Sequence, residues 1–287
     1  MEAEGRPADA GTRPAAAGGA HPPAAGAGHP AAPGEGRPLA VGFDGIALLI
    51  APVTIVCGHY GVGKTSLSVS LAIDAVRAGY DVILSDMDVV NPYFRSSDCK
   101  AVLDEAGVRL IEPVYARSNV DGPSITNETA GAVEWAAAEP EAGGKPRLLI
   151  IDAGGDDAGA TVLGRFSAGL REAGYEMLYV VNRQRGFEHT PDEAAGFLRE
   201  IEEASHLAAT GIVGNTHLKA DTTLATIEEG IPFARACAET TGLPLRFVTM
   251  PRELGAGIAC RETPRIRQML NGAPLYGMGL YVRAPWE

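Results

Sequence analysis

From about residue 40 onward, short runs of β-branched and aliphatic residues alternate with longer stretches in which apolar residues recur every three or four positions. The runs at 53–57, 82–84, 148–151, 177–181, 211–213 and 245–249 are mainly apolar, as expected of strands buried on both faces. Most have Gly, Pro, Asn or Asp at one or both ends. Between them, 65–78, 98–106, 127–138, 158–173, 191–204 and 223–241 carry helical spacing, the last with a break expected at Pro232. Strands and helices in this order predict a doubly wound α/β fold: a mostly parallel sheet of about six to eight strands with helices on both faces. Residues 140–146 read as a polar loop inside that domain, and no internal repeat is visible. Ligands in such sheets bind beyond the carboxyl ends of the strands, so chemistry is sought just after each apolar run.

Composition changes the picture at the start of the chain. Ala, Gly and Pro fill 28 of the first 40 positions, too little apolar bulk to offset the entropy of ordering them. Residues 1–37 are expected to be a disordered tail, and 38–287 one domain. The tail has neither the basic start nor the apolar core of a secretory signal. A net charge of −12 excludes a broad basic footprint, so no nucleic acid is expected as a partner. The longest apolar stretch, 45–57, contains Pro52 and is shorter than the roughly 20 residues that cross a bilayer, so no membrane span is expected. Four cysteines in 287 residues do not make a disulfide framework, which leaves the cytoplasm as the expected location.

The strongest chemical signal follows the first buried run. Gly58-His59-Tyr60-Gly61-Val62-Gly63-Lys64-Thr65 matches G-x-x-x-x-G-K-[ST] between a strand and a helix. Gly58, Gly61 and Gly63 let the chain curl so that backbone N–H groups point inward at the positive end of the helix, which makes an anion cradle. Lys64 has the reach for the β- and γ-phosphates of a nucleotide, and the Thr65 hydroxyl is a candidate Mg2+ ligand. Val62 and Ser66 belong to the same candidate phosphate site. The alternative is a glycine-rich turn with an exposed lysine, but the chain holds only four lysines against twenty arginines.

Two other strand ends carry acids. Asp86 and Asp88 are separated by one residue, so an extended strand would turn both carboxylates to one side, toward a Mg2+ shell and an attacking water. The alternative is a polar turn with a capping acid. The aliphatic run 148–151 ends in Asp152, followed by Gly154 and Gly155. This is the Walker B arrangement, with Asp152 on Mg2+ or its water and Gly155 free to approach the γ-phosphate.

Together these motifs resemble the MinD/ParA-like group of P-loop ATPases, the CobQ/CobB/MinD/ParA nucleotide-binding domain, over roughly residues 52–250. The resemblance implies that Lys64, Asp88 and Asp152 are the catalytic set, with Asp88 polarising the attacking water. It also implies that Asp86 supports the Mg2+ region, that 152–155 form a second switch, and that Asn215 reads the adenine ring. Asn182 is a weaker base-contact candidate, and for both asparagines the alternative is a turn residue. No N-K-x-D guanine signature is present, so ATP is preferred over GTP. His217 either lines the base pocket or lies in a solvated loop. Asn91-Pro92-Tyr93-Phe94-Arg95 resembles a first switch loop, or else a loop anchored by its aromatics.

The chain departs from the family at His59 and Tyr60. The group usually has a second lysine directly after the first glycine, reaching the partner's phosphates across a sandwich dimer. A homodimer is possible, but an imidazole and a phenol at these positions argue against the tight sandwich. Cys57, Cys99, Cys237 and Cys260 lack metal-ligand spacing, and the end of the chain, 277–287, reads as a short strand and tail. The function implied is a slow, Mg2+-dependent ATPase switching its grip on an unidentified protein partner between ATP and ADP states. A small-molecule kinase or ligase of the same superfamily is the second possibility, with Arg183 and Arg185 as the nearest candidate acceptor arm. A nucleotide sensor with negligible turnover is the third.

Overall fold

Val53–Cys57 stands at the middle of the sheet in the computed structural model, which describes residues 37–40, 47–88, 96–112, 124–155, 157–184, 189–218, 221–254 and 264–282. The expected tail up to residue 36, the loop Asn91 to Arg95, Arg185 and Cys260 lie outside the described residues. Strands β1 (Arg37–Ala40) and β2 (Ala47–Ile50) pair as an antiparallel hairpin of their own. The main sheet comprises β3 (Val53–Cys57), β4 (Asp81–Met87), β5 (Arg109–Ile111), β6 (Arg147–Ala153), β7 (Glu176–Val181), β8 (Gly211–Gly214), β9 (Leu245–Pro251) and β10 (Leu275–Met278). Their spatial order is β10-β9-β8-β7-β3-β6-β4-β5, with every pairing parallel. Eight parallel strands with helices on both faces form an α/β P-loop NTPase fold.

The helices are α1 (Lys64–Arg77), α2 (Lys100–Ala106), α3 (Ser124–Ala137), α4 (Asp157–Gly164), α5 (Ser167–Ala173), α6 (Pro191–Ser205), α7 (Leu224–Thr241) and α8 (Pro264–Leu270). Alternate residues of each central strand serve opposite layers. Val53, Ile55, Leu149, Ile151, Met177 and Tyr179 pack under α3 to α7, through Val133, Leu163, Leu198 and Phe233 among others. Val56, Leu148, Ile150, Leu178 and Val180 pack under α1 and α2, through Leu67, Leu71 and Leu103. Both faces of these strands are therefore buried, which is why their sequence shows no polar alternation.

Three elements differ from expectation. The helix expected over 158–173 is two helices, joined where Arg165 and Phe166 donate to the carbonyls three residues back. A Cβ on Gly164 at that joint would lie 2.8 Å from the Ala204 carbonyl, so the glycine lets the end of α4 press onto the end of α6. Conversely, α7 is unbroken across Pro232. A Thr223/Thr226 capping box starts it and left-handed Gly242 ends it, while Ile227, Ile231, Phe233 and Cys237 hold its buried face. The third difference is at the edges: β5, α8 and the β1–β2 hairpin were not among the expected elements, and β10 begins before the short strand expected within 277–287.

At the amino-terminal edge of the sheet, the fully buried Glu176 of β7 takes the Ala51 N–H at 3.3 Å and pairs with Arg246 of β9 at 2.6 Å. One carboxylate thus ties the start of β3 to two other strands. Burial raises its pKa above the usual 4.5, opposed by Arg246 and by the Ala51 N–H. The native state then holds this proton more tightly than the unfolded chain, so the associated stability is present below 4.5 and is lost as pH rises through the raised value. Glu176→Gln keeps the neutral form at every pH. Its melting temperature relative to wild type should climb as pH rises from about 4.5 toward 7; parallel melting curves across that range would remove the ionisation argument.

Candidate nucleotide-binding site

The loop between β3 and α1 turns through Gly58, Gly61 and Gly63, at φ 146°, 73° and 93°, a backbone region that favours glycine. Two of these also touch their surroundings where a side chain would be. A Cβ on Gly58 would stand 2.6 Å from the Val180 carbonyl of β7, and one on Gly63 2.3 Å from Asn215 Nδ2. Across the loop, a Cβ on Gly155 would meet Lys64 Nζ at 2.7 Å and the Tyr60 N–H nitrogen at 3.1 Å. Gly154 is crowded from its other side: a Cβ on Gly159 of α4 would lie 2.4 Å from its Cα. Gly63 gives α1 no side-chain cap and the first turn holds no acid, so the helix presents backbone N–H groups and its positive end to the loop. Lys64 is almost wholly buried, with Nζ donating to the His59 carbonyl at 3.2 Å.

Parallel register sets the acids beside this loop. Asp152 of β6 lies opposite Val56 of β3 on one side and Asp86 of β4 on the other. Its carboxylate accepts Ser68 Oγ of α1 at 3.3 Å and Ser96 Oγ at 2.8 Å, Ser96 opening the 3-10 turn Ser96–Cys99. Burial pushes the Asp152 pKa up; the Lys64 charge and hydrogen bonds from Thr65 and Ser96 oppose that, and nearby Asp88 adds to it. The Asp86 side chain, buried to zero exposure, turns to take the Asp88 backbone N–H at 3.0 Å. Asp86 therefore makes the polar turn, and Asp88 is the one of the pair that reaches the cavity.

That cavity holds about 190 Å3. Lys64, Thr65, Ser66 and Asp88 line it, with Tyr60, Gly61 and Gly63. Asn182, Asn215 and His217 belong to the same lining, with Met278, Leu280 and Val282. Gly58, Val62, Asp86, Asp152 and Gly155 stand around it without lining it. His217 is buried, not solvated. Asn182 accepts the Gln184 N–H at 3.0 Å, the local turn that was the alternative to base contact. A larger cavity of about 580 Å3 opens at the starts of β9 and β10, the opposite end of the sheet.

Asn215 has a role the sequence does not announce. Its Nδ2 donates to the Val62 carbonyl at 2.6 Å, and its Oδ1 accepts the Thr249 hydroxyl of β9. The amide clamps the phosphate loop to the far half of the sheet. Ser68, Ser96 and Thr249 were also missed; only Ser68 left a trace, one helical turn after Lys64. His59 turns inward, its ring 4.3 Å from that of Phe197 on α6, and burial lowers its pKa toward the neutral imidazole. Arg183 is exposed. Cys57, Cys99 and Cys237 are buried and form no disulfide, and among the described residues no three His, Cys, Asp or Glu side chains converge on a metal-sized site. No described helix is long and apolar enough to cross a membrane.

A glycine loop between the central strand and its helix, with an aspartate ending the neighbouring strand, defines the P-loop class of nucleotide-binding folds. No family model and no curated protein matches the sequence. Similar solved structures include FtsY from Mycoplasma mycoides, at 19% identity and TM-score 0.44 over 69% of this chain and 59% of that one. They include the signal recognition particle 54 kDa protein from Aeropyrum pernix in complex with GDP, at 20% identity and TM-score 0.45 over 68% of this chain and 40% of that one. FtsY from Thermotoga maritima matches at 21% identity and TM-score 0.45 over 69% of this chain and 61% of that one. This chain thus spans less than two thirds of each of their lengths.

The clamp can be tested without nucleotide. Asn215→Ala leaves a buried carbonyl and a buried hydroxyl without that amide, at a cost of about 2 kcal/mol. Urea unfolding of the ligand-free variant should show that loss, whereas a residue serving base contact alone would leave the midpoint unchanged.

Proposed function

We propose that this chain is a Mg2+-dependent, slowly hydrolysing ATPase whose nucleotide state controls its grip on a protein partner. The observation that carries the reading is the phosphate loop itself. Its curvature is sealed at Gly58 and Gly63 by contacts that leave no room for a Cβ, and it faces a buried lysine and an uncapped helix start. Such a cradle suits an anion of phosphate type. In this reading Lys64 contacts the β- and γ-phosphates, with the N–H groups of Gly61, Val62, Gly63, Thr65 and Ser66 around them. Thr65 and Asp152 hold Mg2+, which when bound neutralises charge on the phosphates. Asp88 orients the attacking water. Asp86 serves the metal region indirectly, by fixing the backbone at Asp88. Gly155, against Lys64 Nζ, lies where the end of the triphosphate would sit.

The preference for adenine rests on the lining of the cavity. Guanine offers a pair of N–H donors that a carboxylate accepts well. Asn215-Thr216-His217-Leu218 puts leucine where an N-K-x-D motif carries its acid, and Asp88 is the only carboxylate among the described lining residues. Ser96 supports the switch element, since it hangs the segment after residues 89–95 on Asp152. With His59 packed on Phe197 of its own chain, the loop offers a partner copy no cation at that position, which argues against a sandwich dimer.

Lys64→Ala should weaken MgATP binding by about 10- to 100-fold in calorimetry, the value of a charge-assisted contact. Undiminished affinity would overturn the phosphate-loop assignment. Asp88→Ala should bind MgATP within a few-fold of wild type while phosphate release slows by about 100-fold. Turnover equal to wild type would remove Asp88 from the reaction.

A further inference from the structure

The end of the chain takes no part in the motifs above, yet it reaches the same cavity. We infer that residues 278–282 form the base-side wall of the nucleotide site, Leu280 and Val282 covering one face of a purine ring; this deepens the nucleotide-binding reading and rests on it.

Met278, Leu280 and Val282 sit at every second position along the cavity shared by Lys64, Thr65 and Asp88, Met278 fully buried and Leu280 and Val282 half-buried. The residues between them are tied down. The Gly279 N–H donates to Ser70 Oγ at 3.0 Å, and the Tyr281 hydroxyl accepts Arg77 Nη1 at 3.2 Å. The Tyr281 carbonyl accepts the Cys99 thiol at 3.7 Å. Just upstream, the Tyr276 hydroxyl donates to Asp74 Oδ2 at 2.7 Å, and Arg252 reaches both Asp74 and the Gly277 carbonyl. Ser70, Asp74 and Arg77 all belong to α1, the helix that starts at the phosphate loop. The helix that would meet the phosphates therefore also holds the segment that would meet the base.

The chemistry of the lining selects the ligand class. Leu280 and Val282 make an apolar surface over the buried Met278, and Asn182 and His217 add polar groups to the same lining. A flat heterocycle with an apolar face and a hydrogen-bonding edge satisfies both. A phosphate or a free sugar would leave the aliphatic groups without a matching surface.

Calorimetry on the full chain with MgATP, MgADP and magnesium tripolyphosphate tests this, because tripolyphosphate has the phosphates and no base. Leu280→Ser/Val282→Ser should bind ATP and ADP about 10- to 30-fold more weakly, the loss of one apolar ring face, and tripolyphosphate within two-fold of wild type. Unchanged ATP affinity, or equal losses for ATP and tripolyphosphate, would overturn the wall. Amide exchange in the wild type covers a variant that fails to fold: ATP should slow exchange at 280–282 and tripolyphosphate should not, and equal protection by both would also overturn it. A wild type that binds neither ATP nor tripolyphosphate would sink the nucleotide reading itself. Binding of both with no base-dependent difference would sink only the wall.

Discussion

Close packing around one loop governs this molecule. Between β3 and α1 the chain must curl within reach of the Val180 carbonyl, the Asn215 amide and the strand end that carries Gly155, and at these approaches there is no space for a Cβ. Interiors packed to crystal density transmit such contacts instead of absorbing them. The loop's shape is consequently set by three neighbours: β7 below it, the β6 exit across from it and the Asn215 clamp at its side. Each is placed by parallel pairing with β3, directly or through one intervening strand. The sheet order is the reason the loop has one conformation.

The same packing gathers charge that water would otherwise screen. Asp86, Asp88 and Asp152 are all buried, and burial raises the Asp152 pKa against its lysine and hydroxyl partners. A buried carboxylate held this way weighs against folding. Sites arranged for ligands commonly carry such a burden, and a bound cation would relieve it. The two apolar layers supply the opposing, favourable contribution.

Much of this was legible in the sequence because burial on both faces of a strand leaves a plain mark. The six mainly apolar runs all became strands, and the glycine motif fell between the first of them and its helix. What escaped has a physical pattern. Edge elements such as β5 bury too little to show a run. The break after Gly164 depends on where the end of α6 lies, and the survival of α7 across Pro232 depends on packing against the sheet, both tertiary facts. Asn215 was read as a base contact or a turn residue, but its partners are 153 and 34 residues away, so no local window contains its clamp. The anchoring of 278–282 was hidden for the same reason: its partners on α1 lie about 200 positions upstream.

The anchoring of the chain end to α1 has a consequence for how the protein breathes. Ser70, Asp74 and Arg77 bind that end while the first turn of the same helix carries the loop, and the Ser96–Cys99 turn touches both Asp152 and Tyr281. Loosening any one of these pieces strips partners from the others. Shared contacts of this kind are what bind segments into one cooperative unit of local opening. An opening at residues 278–282 would remove partners from the helix that carries the glycine loop more than two hundred residues away.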